Sequence, residues 1–245
     1  MVNTHSTISL DDMAKAGVHL GHHTSKWHPK MKDYIYGNKN SIHIIDLNTT
    51  KEKLENALDF ISETVASGKD VLFVSTKKQA TPIVRSIAEE TGMPYMVRRW
   101  VGGIFTNFKS INKRVKQLVT LEEKLQNNQL KSYTKKERKV FSDKVEKGNK
   151  IFAGVKDLKG LPGAVFVQDI MKDALAIKEA RDLNIPVIAL ADTNTNPELV
   201  NYAIPANDDA ISSIKYIYNL VGQTIIEAKS KRVVIAKDDK ANNKE

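Results

Sequence analysis

The sequence predicts an α/β fold, a doubly wound parallel sheet into which an antiparallel, coiled-coil-like helical hairpin is inserted. Three observations carry that expectation. Runs that are β-branched or aromatic on both faces recur at residues 71–74, 164–167 and 186–190, helical periodicity fills stretches between them, and the excess positive charge is confined to one amphipathic segment. A strand that is apolar on both faces suits the middle of a parallel sheet, where crossover helices cover both sides. Alternation of such strands with helices is the pattern of a doubly wound sheet.

The elements follow in chain order. The N-terminus is polar and leads to Asp11 and Asp12, unlike a secretory or transit peptide. Residues 42–45 read as a weak strand and 71–74 as a central one, which passes through Ser75, Thr76, Lys77, Lys78 and Gln79 into a helix at 81–90. Another weak strand is expected at 94–97. From 107 to 126, Phe108, Ile111, Val115, Leu118 and Leu125 keep a helical period, with Glu122 standing where an apolar residue is expected. After the polar link 127–129, Thr134-Lys135-Lys136-Glu137 matches a capping box, in which the threonine and glutamate side chains satisfy free backbone donors at a helix start. That second helix carries Phe141, Val145, Phe152 and Val155 on one face with Gly148 at the seam, so the two helices zip together antiparallel. A helix at 172–183, a weak strand at 201–204 and a closing helix with the stripe Ile211, Ile214, Tyr218, Val221 and Ile225 complete the pattern. The expected division is a sheet domain at 1–104 and 161–230, a hairpin at 105–160, and a charged tail at 231–245 that is expected to be disordered.

Cysteine is absent, which excludes disulfides, thiolate metal sites and cysteine nucleophiles. No apolar run approaches the roughly 20 residues that a membrane span needs, so a cytoplasmic location is expected. The net charge of +9 has a place: residues 105–160 hold 15 of the 38 Lys and Arg but 6 of the 29 Asp and Glu, leaving 23 of each sign elsewhere. Charge concentrated in one segment points to a polyanion partner.

Beside that segment, residues 98–110 combine Arg98, Arg99, Trp100, Gly102, Gly103, Asn107 and Lys109, with Lys113 and Arg114 following on the first hairpin helix. Guanidinium groups pair with phosphates, aromatic faces accept bases and glycines admit a close backbone. Trp100 either stacks on a base or braces the corner. Lys77 and Lys78 leave the carboxyl end of a sheet strand, where ligands of parallel sheets are met; the surrounding loop lacks the glycines of a Walker loop, so a sugar-phosphate backbone suits it better than a nucleotide. All six histidines precede residue 44, and His22 joined by Asp192, Asp208 and Asp209 is a candidate metal set, with zinc as the ion. No Gly-x-Ser-x-Gly elbow, Gly-x-Gly-x-x-Gly or Walker motif is present, so no enzyme is expected. A DNA-binding regulator would need a recognition helix, and no helix-turn-helix signature is found.

Gly17-Val18-His19-Leu20-Gly21-His22, Trp27-His28-Pro29-Lys30-Met31, Arg99-Trp100-Val101-Gly102-Gly103-Ile104-Phe105-Thr106-Asn107, Leu161-Pro162-Gly163-Ala164-Val165 and Asn207-Asp208-Asp209 stand in an order that resembles the bacterial-type small-subunit ribosomal protein S2 family. The likeness runs from about Leu10 to Val221, with departures at Asn196, Ala206, Ala153 and Gln168-Asp169-Ile170-Met171. The resemblance implies a flavodoxin-like sheet domain with the inserted hairpin. It also implies binding to small-subunit ribosomal RNA between head and body, contact with neighbouring small-subunit proteins, support for docking of ribosomal protein S1, and a bacterial or organellar ribosome.

Overall fold

The computed structural model describes residues 8–127, 129, 130 and 133–242, without the side chains of 233–242. The chain forms α1 (Leu10–Lys15), β1 (Leu20–His23), β2 (Ile35–Lys39), β3 (Ile42–Ile45), α2 (Leu47–Ala66), β4 (Val71–Val74), α3 (Thr81–Thr91), β5 (Tyr95–Met96), α4 (Phe108–Gln126), α5 (Lys135–Phe152), β6 (Ala164–Val167), α6 (Ala174–Asp182), β7 (Val187–Ala191), β8 (Tyr202–Pro205) and α7 (Ile211–Asn242). Five strands form one parallel sheet in the order β5-β4-β6-β7-β8. Counted within that sheet the order is 2-1-3-4-5, the flavodoxin-like arrangement, whose topological switch point lies between β4 and β6.

The pleat divides the sheet residues between two cores. Val71, Phe73, Ala164, Phe166, Ile188 and Leu190 pack with Leu54 and Ile61 of α2, Val84 of α3, and Ile214, Tyr218 and Ile225 of α7. Leu72, Val74, Val165, Val167, Val187 and Ala189 face the other way, against α6, Trp100, Ile104, Phe105 and the start of α4. This explains why the three central runs are apolar at every position: successive residues enter opposite buried layers.

The weak strand at 42–45 is present but belongs elsewhere. It is β3, the middle strand of a separate antiparallel sheet with the order β1-β3-β2. Asn40 and Ser41 turn β2 into β3 with φ of 52° and 61°, and Lys39 pairs with Ile42. A two-residue turn left-handed at both positions closes a hairpin whose twist suits its strands, so β3 finds its partners locally. The sequence reading also omitted α1, β1, β2 and the twenty-residue α2, although the buried stripe Leu54, Ala57, Leu58, Ile61 and Val65 keeps a helical period.

α4 and α5 lie against each other. Ile111, Val115 and Leu118 of α4 and Val145 of α5 are buried, and a Cβ on Gly148 would come within 2.5 Å of Leu118 Cδ1. Glu122, out of place as an apolar position, accepts from Asn149 Nδ2 at 2.7 Å and from Lys156 Nζ at 2.5 Å. The Thr134–Glu137 capping box forms as its spacing predicts. In the link between the helices, residues 128, 131 and 132 lie outside the described residues. At the C-terminus α7 runs to Asn242, with no proline or glycine after Gly222, and residues 243–245 lie outside the described residues.

Candidate nucleic-acid interface

The loops leaving the carboxyl ends of β4, β6, β7 and β8 meet at one edge of the sheet. There Lys77 is 4% exposed and its ammonium lies 3.0 Å from Asp169 Oδ2, 2.6 Å from Asp208 Oδ1 and 2.9 Å from Asp209 Oδ1. Burial works to lower the lysine's pKa, but the attraction of Asp208 and the hydrogen bonds to Asp208 and Asp209 outweigh it and hold the ammonium charged. Asp208 itself is pushed well above the ordinary carboxylate range, by burial and by the neighbouring Asp192. The expectation of a Lys77–phosphate contact is therefore corrected. The ammonium is an internal counter-ion for three carboxylates, because its loop faces the acidic β6 and β8 exits across the switch point.

His22 reaches the same cluster from the antiparallel sheet. Its Nδ1 lies 3.0 Å from Asp192 Oδ1 and its Nε2 lies 3.3 Å from Asp209 Oδ2. Its pKa is raised, first by the Asp192 hydrogen bond, with burial opposing. Donor atoms of His22, Asp208 and Asp209 converge within 4.8 Å of one another. Asp192 stands apart from that set. Its carboxylate accepts from the Thr193 amide and hydroxyl and from the Asp208 amide, and it orients the imidazole as a partner behind the ligands would. Of the other histidines, His5 lies outside the described residues. His23 and His28 use Nδ1 to accept from the amides of Ser25 and Lys30, so neither ring contributes that nitrogen to the acidic cluster.

The corner at 98–110 divides its residues between core and surface. Trp100 is 7% exposed, packs edge to face on Phe105 at 5.0 Å, and donates its indole N–H to Glu179 Oε1 at 3.2 Å. It braces the corner, which decides between the two readings left open for it. Gly103, with φ of +91°, turns its amide inward to Glu179 at 2.7 Å. Gly102 and Asn107 stay exposed.

The remaining cations point outward. Lys78, Arg98, Arg99, Lys109, Lys113 and Arg114 are exposed, and none of them makes an ion pair among the described residues. Some surface cations are paired, as in Lys30–Glu198, Arg85–Glu89, Lys139–Asp143 and Lys150–Glu146. Lys109 and Lys113 continue into a groove along the two packed helices that is also lined by Lys116 and Lys124 of α4 and by Phe141 and Lys144 of α5. The like charges that line this groove, Lys109, Lys113, Lys116, Lys124 and Lys144, attract a polyanion along its backbone. Asp169 and Glu179 are not among the site residues expected from the sequence; the signal at Glu179 is a charged residue inside the buried stripe Ala176, Ile177, Glu179 and Ala180.

Comparison with known proteins identifies the family. The family model of ribosomal protein S2 matches residues 13–228. The chain is 47% identical over 222 residues to small ribosomal subunit protein uS2 of Thermus thermophilus, spanning 91% of this chain and 87% of that protein. With uS2 of Chlorobium phaeovibrioides the identity is 43% over 243 residues, 98% of this chain and 95% of the relative. With uS2 of Cytophaga hutchinsonii it is 46% over 225 residues, 92% and 89%. Matches of this length and identity, on a five-stranded parallel sheet, leave one conclusion: the chain belongs to the ribosomal protein S2 family.

Proposed function

We propose that this chain is a structural, non-catalytic constituent of the small ribosomal subunit in a bacterial-type cytoplasm or an organelle. It binds small-subunit ribosomal RNA between head and body by contacts to the sugar-phosphate backbone. The observation that carries this reading, beside the family, is the run of exposed and unpaired cations Lys78, Arg98, Arg99, Lys109, Lys113 and Arg114. On this reading 105–160 is an inserted basic hairpin. Its lysine groove follows RNA phosphates, while the sheet domain meets neighbouring subunit proteins and supports docking of ribosomal protein S1. Fractionation of a lysate on a sucrose gradient tests the proposal: the protein is expected with small subunits and is released by high salt. Absence from those fractions would overturn it.

A second reading rests on the convergence of His22 Nε2, Asp208 and Asp209, a donor set of nitrogen and oxygen that suits zinc. Asp192 then orients His22, and Lys77 offsets part of the acidic charge. Elemental analysis of purified subunits and a zinc-dependent rise in melting temperature that His22→Ala removes are the expected results.

A further inference from the structure

Glu179 is 5% exposed and sits on the face of α6 that packs Ala176, Ile177 and Ala180 into the core. A carboxylate in that position is costly unless it is paired or fully hydrogen-bonded. Glu179 makes no ion pair among the described residues. Its partners are donors from a single stretch of chain. Oε1 accepts from the Gly103 amide at 2.7 Å and the Trp100 indole at 3.2 Å, and Oε2 accepts from the Phe105 amide at 3.1 Å and the Thr106 hydroxyl at 3.5 Å. Gly103 takes a left-handed φ of +91° that turns its N–H toward this carboxylate, and the next cations, Arg99 on one side and Lys109 on the other, flank the bonded residues.

We infer that Glu179 is the positioning residue of the RNA-facing corner. Its buried carboxylate ties the turn at 100–106 to α6, so that Arg98, Arg99, Asn107 and Lys109 are presented as one pre-ordered surface. The inference rests on the RNA-binding reading above. Among the described residues no strand pairs with this turn; beside the core packing of Trp100, Ile104 and Phe105, Glu179 is what its Gly103 and Phe105 amides bond to. Without Glu179, its backbone amides lose their acceptor, and the RNA must order the turn on binding, which lowers affinity. Gly102 and Gly103 then serve closure onto the carboxylate.

The test uses the full-length chain, a transcript of the small-subunit ribosomal RNA, and the variants Glu179→Ala and Glu179→Gln. Hydrogen exchange at the Gly103 and Phe105 amides reads the turn, and filter binding across a salt series reads the affinity. Glu179→Ala is expected to exchange those amides at least about tenfold faster and to bind roughly tenfold more weakly with a shallower salt dependence. Glu179→Gln keeps one acceptor oxygen and sets an NH2 against the other donors, so it falls between. The effect is expected to shrink when Arg98 and Arg99 are already alanine, because Glu179 acts through them; a merely structural role would leave it undiminished. Should Glu179→Ala not fold, Glu179→Gln and Trp100→Phe, which deletes one donor, carry the same comparison. Unchanged exchange, or an affinity loss independent of the arginines, overturns the positioning role. A native protein that does not bind the transcript overturns the RNA reading itself.

Discussion

Replacing Arg98 and Arg99 together by alanine separates the interface from the fold. Both side chains are exposed and neither makes an ion pair among the described residues, so their removal costs the folded state little. The expected change in melting temperature is within about 2 °C. Their contribution to RNA binding follows from counter-ion release. At about 0.15 M salt each neutralised phosphate contributes about 0.7 of a logarithmic unit, roughly fivefold. Two guanidinium groups therefore carry about thirtyfold, on the order of 2 kcal/mol, and the slope of log affinity against log salt should become shallower by about two units. On single-stranded RNA the same reasoning gives about fifteenfold and a slope change of about 1.4. Filter binding of the full-length chain to small-subunit ribosomal RNA, at salt concentrations from about 0.05 to about 0.3 M, measures both quantities. Lys51→Ala, which breaks the ion pair with Glu55 on α2, is the control and should leave the slope unchanged. A double variant that melts normally and keeps the native slope would refute the assignment of these arginines to phosphates.

Three further outcomes are expected. Lys77→Met leaves Asp169, Asp208 and Asp209 without their internal counter-ion and should cost about 3–5 kcal/mol in denaturant titration above neutral pH, with part of the loss recovered as pH falls through about 7, where Asp208, already raised to about 7 with Lys77 in place, takes up a proton. An equally stable variant would show that the cluster tolerates its own repulsion. Burial raises Asp173 from 3.8 to about 6, so the folded state holds this proton more tightly than the unfolded chain does. Its contribution to stability is present below about pH 4 and is lost as pH rises to about 6; Asp173→Asn should flatten that fall and leave the protein up to about 3 kcal/mol more stable at neutral pH. Parallel stability curves for the two proteins would exclude this sign. Finally, a Cβ on Gly154 would run into the Tyr95 carbonyl oxygen, which is backbone and has no rotamer to yield, so Gly154→Ala should destabilise by about 1–3 kcal/mol, read as a lower melting temperature. No change in melting temperature would mean that β5 is free to move away.

Periodicity and composition were sufficient for much of this protein. The three central strands announced themselves because buried parallel strands are apolar on both faces, and α4 and α5 because a stripe at helical spacing and a capping box are local features. The charge excess concentrated in 105–160 is likewise a property of the sequence alone. The tertiary structure decided everything that depends on which residues meet. It moved 42–45 from the main sheet into a local antiparallel one, since a short apolar run does not reveal its hydrogen-bonding partner. It turned Trp100 inward, and it made Lys77 the counter-ion of carboxylates that lie more than ninety residues away in the chain. A lysine reads the same in sequence whether it faces water, phosphate or a buried acid. Its role is set by the charges that the fold brings within a few ångströms of it, and those came here from the exits of β6 and β8.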